Sequence, residues 1–410
     1  MDIPYIKRSL EKVVLNLTNE YPVILITGPR QVGKTTMLKK LMENTDRSYV
    51  SLDDLNEREL AINDPAMFLQ IHKPPILIDE VQYAPELFTY IKLSVDKNQN
   101  PGDFWLTATQ MFKLMEGVRE SLAGRVAILR LNTLSQNEIY AQLENQPFSL
   151  DLELLLQREK KIDSIDVNET YRRIYTGSMP AIVTGKYTDK NIFYSSYIDT
   201  YLERDVQKLL PTIDTLEFLK FITSLAARCG QIVNNAQIAR ECDINEVTVK
   251  KWSNVLQKLG IIFYLHPYSN NTLKRTIKAP KVYFFDTGLV SYLTKWSSSE
   301  TLESGAMNGA ILENYCISEI IKSFDNSGKE SFVYYYRDKD MKEIDVIIEA
   351  DGTLYPIEIK KTAMPNIQLT NVFNVLDKSN MKRGNGAIIC MKDKLSAFDN
   401  KNYIIPISLI

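Results

Sequence analysis

Apolar runs of strand length alternate with segments of helical spacing through the first third of the chain. The runs occupy residues 23–27, 74–80, 104–110 and 126–131, and residues 37–42 carry the spacing of an amphipathic helix. Strands that alternate with helices are typical of a parallel sheet covered by helices on both faces. We therefore predict an α/β fold, with a first domain of this type over residues 1–136.

The pattern becomes helical from residue 137 to about residue 214. Residues 197–206 place apolar side chains at helical spacing with charged residues between them, which indicates an amphipathic helix. We predict a helical lid and connector over residues 137–214. Arg172, Arg173 and Arg204 could reach a bound ligand from this lid, although pairing on the helix surface is the commoner role of an arginine.

A helix-turn-helix pattern follows between residues 232 and 264. A short helix over residues 236–241 and a second helix over residues 246–260 flank a turn near Asp243, and two strand-like runs with a basic tip between them come next. This order of elements predicts a winged helix-turn-helix, to which we assign residues 215–290.

The second helix of this unit and the basic tip offer polar and cationic side chains. The candidates are Asn245, Thr248, Lys250, Lys251 and Asn254 on the helix, with Lys274 and Arg275 on the tip. Such residues can contact the bases and phosphates of DNA. Winged helices also serve as packing modules, and lysine-rich helix faces are commonly only solvated, so DNA binding and packing are two open alternatives.

The last predicted domain, residues 291–410, is an α/β unit that contains three acidic residues and a lysine of interest. Glu313 lies in a helical segment, Asp345 in one strand, and Glu358 and Lys360 in the next strand. Side-chain alternation puts the last two on one face, and a hairpin brings the aspartate beside them. Carboxylates can hold a divalent ion while a lysine positions water for phosphodiester attack. The alternative is a hairpin whose charged face meets solvent.

The most specific motif directly follows the first apolar run. It reads Gly28-Pro29-Arg30-Gln31-Val32-Gly33-Lys34-Thr35-Thr36. This is a phosphate loop, in which glycines let main-chain amides approach phosphate oxygens. Lys34 would reach the β- and γ-phosphates, and the Thr35 hydroxyl would bind Mg²⁺ at the positive end of the helix. The motif predicts a nucleoside triphosphate site.

Polar residues that follow the phosphate loop along the chain are candidates for the hydrolysis of the bound nucleotide. Asp79 would hold Mg²⁺ through its water shell, and Glu80 would orient or polarise the water that attacks the γ-phosphate. Thr107 could sense that phosphate from the end of the next strand. Arg125 is a candidate arginine finger that acts across a subunit boundary, or else an arginine that caps a surface helix.

Composition and charge exclude several other classes of protein. The chain has 410 residues, of which 44% are hydrophobic and 24% charged, as in globular proteins of two or three domains. A net charge of −2 argues against a broadly basic nucleic-acid coat. The four cysteines and two histidines are scattered and show no zinc or disulfide pattern. No apolar run approaches the ~20 residues of a membrane span, and the N-terminus has no signal-peptide core, so we expect a cytoplasmic protein.

Several motifs together resemble a prokaryotic family of AAA-type ATPases. They are residues 28–35, residues 77–82 and Ser121-Leu122-Ala123-Gly124-Arg125, with further matches at residues 201–205, 284–289 and 309–314. Members of that family carry a C-terminal domain of unknown function that is similar to restriction endonucleases. The resemblance implies ATP and Mg²⁺ as ligands and a homo-oligomer. The chain departs from the family at Ala108-Thr109, where Gly-Ser is usual, and this departure concerns the sensor position.

Two functions are consistent with these features. The first is a DNA-acting machine in which ATP turnover gates a metal-dependent nuclease that holds a second divalent ion. The second is a nucleotide-switched regulatory protein whose nuclease-like domain binds a partner without cleaving it. The complete set of three acids and a lysine in the last domain favours the first function.

Overall fold

The computed structural model describes residues 4–109, 121–202, 206–207, 209–210, 213–269 and 279–410. Its first part is a five-stranded sheet in which all neighbouring strands run parallel. The strands are β1 (Val23–Thr27), β2 (Ser48–Ser51), β3 (Ile76–Asp79), β4 (Phe104–Ala108) and β5 (Val126–Arg130), in the spatial order β2-β3-β4-β1-β5. Every residue of β1, β3 and β4 is buried, as expected of a parallel sheet covered on both faces.

Helices pack against both faces of this sheet. They are Leu10–Thr18, Lys34–Met42, Leu55–Asn63, Pro65–Ile71 and Leu87–Asn98, with a 3-10 turn at Val81–Tyr83. Val23 and Leu25 of β1 belong to one apolar cluster, whereas Ile24 and Ile26 belong to another, because successive side chains of a strand point to opposite faces. The predicted parallel α/β sheet is confirmed.

Helices also dominate the described residues between 136 and 202. They are Gln136–Ile139, Leu152–Glu159, Val167–Thr176, Pro180–Val183 and Lys190–Tyr197, and Ile198–Leu202 is a π-helical turn. Arg172 and Arg173 both pair with Glu169 of their own helix. Arg204 lies outside the described residues.

Three helices and a two-stranded hairpin come next. The helices are Thr215–Ala226, Asn235–Cys242 and Glu246–Lys258, and the antiparallel strands are β6 (Ile262–Leu265) and β7 (Lys281–Phe284). Asp243 has a φ of 59°, a left-handed turn of the kind that ends a helix. The basic tip with Lys274 and Arg275 falls on residues 270–278, outside the described part. The predicted elements are present, and their assignment as a winged helix stays a prediction.

The C-terminal part is built on a mixed sheet behind the long helix Asn308–Asn326. The strands are β8 (Val333–Arg337), β9 (Glu343–Ala350), β10 (Thr353–Lys360), β11 (Lys382–Arg383), β12 (Gly386–Cys390), β13 (Ser396–Ala397) and β14 (Asn402–Pro406). Neighbours from β8 to β10 pair antiparallel, whereas β10, β12 and β14 run parallel. Helices Thr287–Leu293 and Ser299–Ser304 precede the long helix, and 3-10 segments occupy Ile367–Lys378 and Ile407–Leu409.

One apolar core joins three parts of the chain. They are the helical region between residues 136 and 202, the three helices with the hairpin of β6 and β7, which we call the hairpin unit, and the C-terminal sheet. Its buried members run from Phe148 to Ile410 along the chain. Burial of apolar surface is the main favourable term in folding, so these parts stabilise one another. The four cysteines are buried free thiols, and no helix of the described chain is long and apolar enough to cross a membrane.

A buried polar junction connects the parallel sheet to this core. Asp286 accepts hydrogen bonds from the Ser178 N–H at 2.7 Å and from the Tyr194 hydroxyl at 2.6 Å. Lys322 of the long helix donates to the Leu134 carbonyl oxygen at 3.0 Å. Buried charged groups of this kind are costly unless they are hydrogen-bonded. The junction therefore fixes how the segment after β5 sits against the C-terminal part.

Candidate nucleotide-binding site

The chain turns sharply between β1 and the helix Lys34–Met42. Gly28, Gln31 and Gly33 have positive φ angles of 145°, 62° and 92°. A Cβ on Gly28 would lie 2.0 Å from the Leu131 carbonyl oxygen, so glycine is required there. Left-handed residues within such a turn direct main-chain N–H groups toward one concave surface, which suits an anion.

Lys34 lies inside this loop. Its side chain is buried, and its amine donates to the carbonyl oxygens of Gly28 at 3.0 Å and Pro29 at 2.8 Å and to the Thr109 hydroxyl at 3.2 Å. These acceptors compensate for the burial of an ammonium group. The amine therefore lies where phosphate oxygens can replace the carbonyls as its partners.

The hydroxyl of Thr35 contacts the carboxylate of Asp79. Thr35 Oγ1 lies 2.6 Å from Asp79 Oδ1, and the Thr107 hydroxyl donates to the same oxygen at 2.5 Å. The Tyr49 hydroxyl lies 3.3 Å from Asp79 Oδ2. Mg²⁺ prefers hard oxygen ligands and keeps several waters. The oxygens of Thr35 and Asp79 are of the kind that this ion prefers, and they lie together beside the phosphate loop.

Glu80 is held on both of its carboxylate oxygens. The Thr109 hydroxyl donates to Oε1 at 2.9 Å, and the side-chain amide of Gln82 donates to Oε2. The backbone of Glu80 has a φ of 56°, and its N–H donates to the Thr107 hydroxyl at 2.9 Å. Because Thr109 contacts both Lys34 and Glu80, one hydroxyl connects the phosphate-loop amine with the carboxylate.

A cavity of about 390 Å³ opens beside the phosphate loop. Gln31, Val32 and Gly33 form one wall. The other walls come from the N-terminal segment and the helical region, and include Tyr5, Ile6, Leu134, Pro180, Ala181 and Tyr187. An apolar slot next to an anion site suits a flat nucleobase. The cavity is therefore the place beside the phosphate loop where a nucleobase would have room.

Arg8 is a site residue that no sequence motif marks. It is 3% exposed. Its guanidinium donates to the Val32 carbonyl at 2.7 Å and the Asn132 carbonyl at 2.8 Å, and it lies 3.0 Å from the Glu138 carboxylate. It thus ties the phosphate loop to the segment after β5. The only local signal is an arginine before an amphipathic helix, which is too common to indicate a site.

Arg125 lies at the opposite edge of the sheet from the phosphate loop. Its carbonyl accepts from the N–H of Val23, the first residue of β1, whereas the loop follows the last residue of that strand. Five strand residues span about 15 Å. The guanidinium is about one-third exposed and lies 2.5 Å from Asp96. Arg125 therefore does not reach the phosphate loop of its own chain.

The hairpin formed by β9 and β10 brings together Asp345, Glu358 and Lys360. The lysine amine lies 3.0 Å from Asp345 Oδ2 and 2.6 Å from Glu358 Oε2. The N–H of Ile359 donates to the aspartate at 2.9 Å. Three of the four residues predicted for a nuclease-like site are therefore in direct contact.

Glu313, the fourth of these residues, has two other partners. Its carboxylate lies 3.0 Å from the Lys281 amine and accepts from the Tyr283 hydroxyl at 2.5 Å. Burial raises the pKa of Glu313, and the negative charge of the Asp345 carboxylate raises it further. The two carboxyl groups therefore interact electrostatically. Within the described residues, no group of three or more His, Cys, Asp or Glu side chains is placed to hold a metal ion.

Burial and the neighbouring carboxylates change the protonation of this cluster. Burial first and Asp345 second raise the pKa of Glu358 to about 8. Burial would lower the pKa of Lys360, but Asp345 and Glu358 together raise it. Perturbed groups of this kind occur both in active sites and in structural ion pairs. The cluster carries less negative charge at pH 7 than three free carboxylates would.

The helix Glu246–Lys258 turns most of its predicted contact residues outward. Asn245, Lys250, Lys251 and Asn254 are exposed or half-buried, as is Thr248. The Asn245 side chain accepts from the Thr248 N–H at 2.7 Å, which is the geometry of an N-cap. Trp252 and Val255 bury the other face of the helix. A polar and cationic face is therefore available to a partner.

Three family models match successive parts of the chain. Residues 20–140 match a family described as an AAA domain. Residues 168–300 and 308–410 match two families described as domains of unknown function, DUF8612 and DUF4143. The AAA match covers the phosphate loop, the end of β3 and Arg125, and the last match covers the acid and lysine cluster.

Individual proteins and solved structures are also similar to large parts of the chain. An uncharacterized protein of Mycobacterium tuberculosis is 27% identical over 347 residues, which cover 84% of this chain and 72% of that protein. An uncharacterized protein of Mycobacterium bovis gives the same values. Among solved structures, a Walker-type ATPase of Pyrococcus abyssi has a TM-score of 0.41 at 13% identity, covering 71% of this chain and 98% of that one. The RuvB Holliday junction branch migration motor of Thermotoga maritima has a TM-score of 0.31 at 16% identity, covering 63% and 89%.

The family match, the parallel sheet and the phosphate-loop geometry together define the class of protein. Residues 20–140 form an AAA domain with a phosphate loop, and residues 308–410 match a C-terminal domain of unknown function.

Proposed function

We propose that Mg²⁺-dependent ATP hydrolysis in the first domain gates a DNA-acting, nuclease-like C-terminal domain. The observation that carries the nuclease part is the convergence of Asp345, Glu358 and Lys360 on one hairpin face. An acid-x-lysine pair beside a second acid provides ligands for a divalent ion and a cation that can position water. The helix acid Glu313, whose pKa the Asp345 carboxylate raises, can join the site if Lys281 releases it.

ATP chemistry in this proposal is performed by residues that already contact one another. Lys34 and the main-chain amides of its loop would bind the phosphates, and Mg²⁺ would supply positive charge that offsets the negative charge of the phosphates. Thr35 and Asp79 hold that ion. Glu80 orients the attacking water. Arg125 is proposed to act on the nucleotide of a neighbouring subunit in a homo-oligomer, because it cannot reach its own.

Contacts between the two domains support the gating step. The Asn132 side chain donates to Asp325 of the long helix at 2.6 Å, and the Gln136 N–H donates to Glu319 of that helix at 2.7 Å. The same helix carries Glu313. A movement of the segment after β5 can therefore be transmitted through the long helix to the acid and lysine cluster.

A second candidate is a nucleotide-switched regulatory ATPase whose C-terminal domain binds a partner without cutting. It is favoured by the amines that already occupy the cluster, since Lys360 lies against Asp345 and Glu358 and Lys281 lies against Glu313 and Glu343. Paired acids are poorer metal ligands than open ones. In this candidate the polar face of the helix Glu246–Lys258 contributes to the binding surface.

The test is cleavage of labelled single- and double-stranded DNA and RNA by the purified chain. Mg²⁺ or Mn²⁺ is supplied with and without ATP, beside the double variant Glu358→Ala/Lys360→Ala. Lys361→Ala is the matched control, because this adjacent lysine points away and pairs with Glu303. We expect cleavage by the wild type and by the control, and none by the double variant.

Other results would redirect the proposal. ATP hydrolysis with no cleavage of any nucleic acid would favour the regulatory ATPase. Cleavage that survives in Glu358→Ala/Lys360→Ala would show that the cutting residues lie elsewhere.

A further inference from the structure

We propose that Gln82 is a positioning residue for ATP hydrolysis that holds the Glu80 carboxylate in the orientation needed by the attacking water. This inference rests on ATP hydrolysis at the nucleotide site. The sequence analysis assigns no function to Gln82.

The contact between Gln82 and Glu80 fixes how the glutamine is oriented. Gln82 lies in the 3-10 turn Val81–Tyr83 that follows β3, and it is 9% exposed. Its Nε2 donates a hydrogen bond to Glu80 Oε2. Because an ionised carboxylate only accepts, the nitrogen of the amide must face it. The assignment of the two amide atoms therefore follows from the chemistry of the partner.

The two donors on Glu80 act from different sides of the site. Gln82 donates to Oε2 from the turn after β3, and the Thr109 hydroxyl donates to Oε1 at 2.9 Å from the end of β4. Thr109 also accepts from Lys34, so it will rearrange when phosphate binds that amine. Gln82 contacts none of these phosphate-binding groups in the described hydrogen bonds. It can therefore keep its hold on Glu80 while Thr109 changes partners.

Position matters because a general base works only at hydrogen-bond distance from its water. Glu80 directly follows the last residue of β3 and has a left-handed backbone, with a φ of 56°. Two side-chain donors remove the rotation that would let the carboxylate swing away. The Gln82 hydrogen bond is thus a restraint on the catalytic group.

A packing role explains Gln82 less well. Its Oε1 is buried and has no hydrogen-bond partner among the described residues. An unsatisfied buried oxygen lowers stability, and a methionine of similar shape would fill the same space without that cost. A glutamine at this position is therefore better explained by its contact with Glu80 than by packing.

The experiment measures steady-state ATP hydrolysis and nucleotide affinity for the full chain carrying Gln82→Met, Gln82→Asn or Gln82→Glu. Methionine keeps the shape and loses the donor, asparagine keeps the amide but is one methylene too short, and glutamate replaces the donor by a second carboxylate. We expect kcat to fall about tenfold to a hundredfold. The Kd for ATP should change less than about twofold, since Gln82 touches no phosphate-binding group in the described hydrogen bonds.

Gln70→Met is the matched control, because Gln70 is a helix residue outside the nucleotide site. It should keep the wild-type kcat. A Gln82→Met enzyme with wild-type kcat would overturn the inference, and so would a parallel loss of kcat, ATP affinity and thermal stability in all three variants, which indicates a structural role. A wild type that binds ATP but never hydrolyses it would instead overturn the proposed hydrolysis itself.

Discussion

Thr107 and Thr109, near the end of β4, lie on the same side of the chain but serve different groups. Thr107 contacts the Asp79 carboxylate and the Glu80 N–H, whereas Thr109 contacts Lys34 and the Glu80 side chain. Residues i and i+2 of an extended chain share a face, so both reach the site. The predicted sensor role at Thr107 stays a prediction. The contacts make Thr109 the better placed of the two to respond to a phosphate.

The raised pKa of Glu358 predicts a pH dependence of stability. Its carboxyl has an ordinary pKa of 4.5, which the fold raises to about 8. The folded chain therefore binds a proton more tightly than the unfolded chain between these values. The stability from this group is complete below about pH 4.5 and is lost as the pH rises to about 8. Glu358→Gln cannot lose a proton, so it should be more stable than the wild type at pH 8, by an amount on the order of 1–3 kcal/mol.

Thermal unfolding of both proteins at pH 6 and pH 8.5 measures this difference. The melting temperature of Glu358→Gln should exceed that of the wild type more at the higher pH. Glu349→Gln, in the strand β9 of the same hairpin, controls for a general change in charge. A gap between Glu358→Gln and wild type that does not grow with pH would show that Glu358 is ionised throughout the range.

At the scale of elements, the helix Glu246–Lys258 ends against the phosphate loop. Gly260, in the turn after this helix, has a φ of 71°, and a Cβ added to it would lie 2.9 Å from the Pro29 ring and 3.2 Å from the Arg130 guanidinium. Pro29 supplies one of the carbonyls that hold Lys34. The hairpin unit therefore touches the loop that binds phosphate.

This contact predicts that Gly260→Ala weakens ATP binding. The added methyl group must push the Pro29 ring, and a shift that costs the bound loop about 1 kcal/mol raises the Kd about fivefold. Gly352→Ala is the matched control, since Gly352 has a φ of 70° and a Cβ added there would meet no described atom within 4 Å. Both variants carry the same strain of a left-handed alanine, but only the first should bind ATP more weakly in a calorimetric titration. Equal Kd values would mean that the loop does not depend on Gly260.

The elements show what the sequence could and could not predict. The alternation of apolar runs predicted the parallel sheet, and the glycine spacing predicted the loop after β1, because both are local patterns. The contact of Gly260 with Pro29 and the role of Arg8 were not predicted. They join segments that are far apart along the chain, and a single sequence carries no periodicity or spacing that indicates such a contact.

At the scale of the whole molecule, the proposed finger Arg125 is separated from the phosphate loop by the length of β1. Arg125 is on the far edge of the sheet and is held within its own subunit by Asp96 and by the Ala123 carbonyl at 3.0 Å. A partly exposed arginine at that edge can reach a nucleotide only in another copy of the chain. The proposed finger role of Arg125 therefore requires a second copy of the chain.

Mixing two inactive variants tests this assembly. Arg125→Ala should bind ATP like the wild type and lose hydrolysis by about a thousandfold, because a finger contributes to the transition state and little to binding. Lys34→Ala should not hydrolyse ATP, but its subunits still carry Arg125. Adding them to Arg125→Ala should restore turnover, since each intact site can then receive an arginine from a neighbour.

Asp96→Asn controls for the loss of the ion pair and should remain active alone. If the mixture stays inactive while the wild type hydrolyses ATP as a monomer, Arg125 has no role across a boundary and the arginine serves only to hold the helix Leu87–Asn98 against β5.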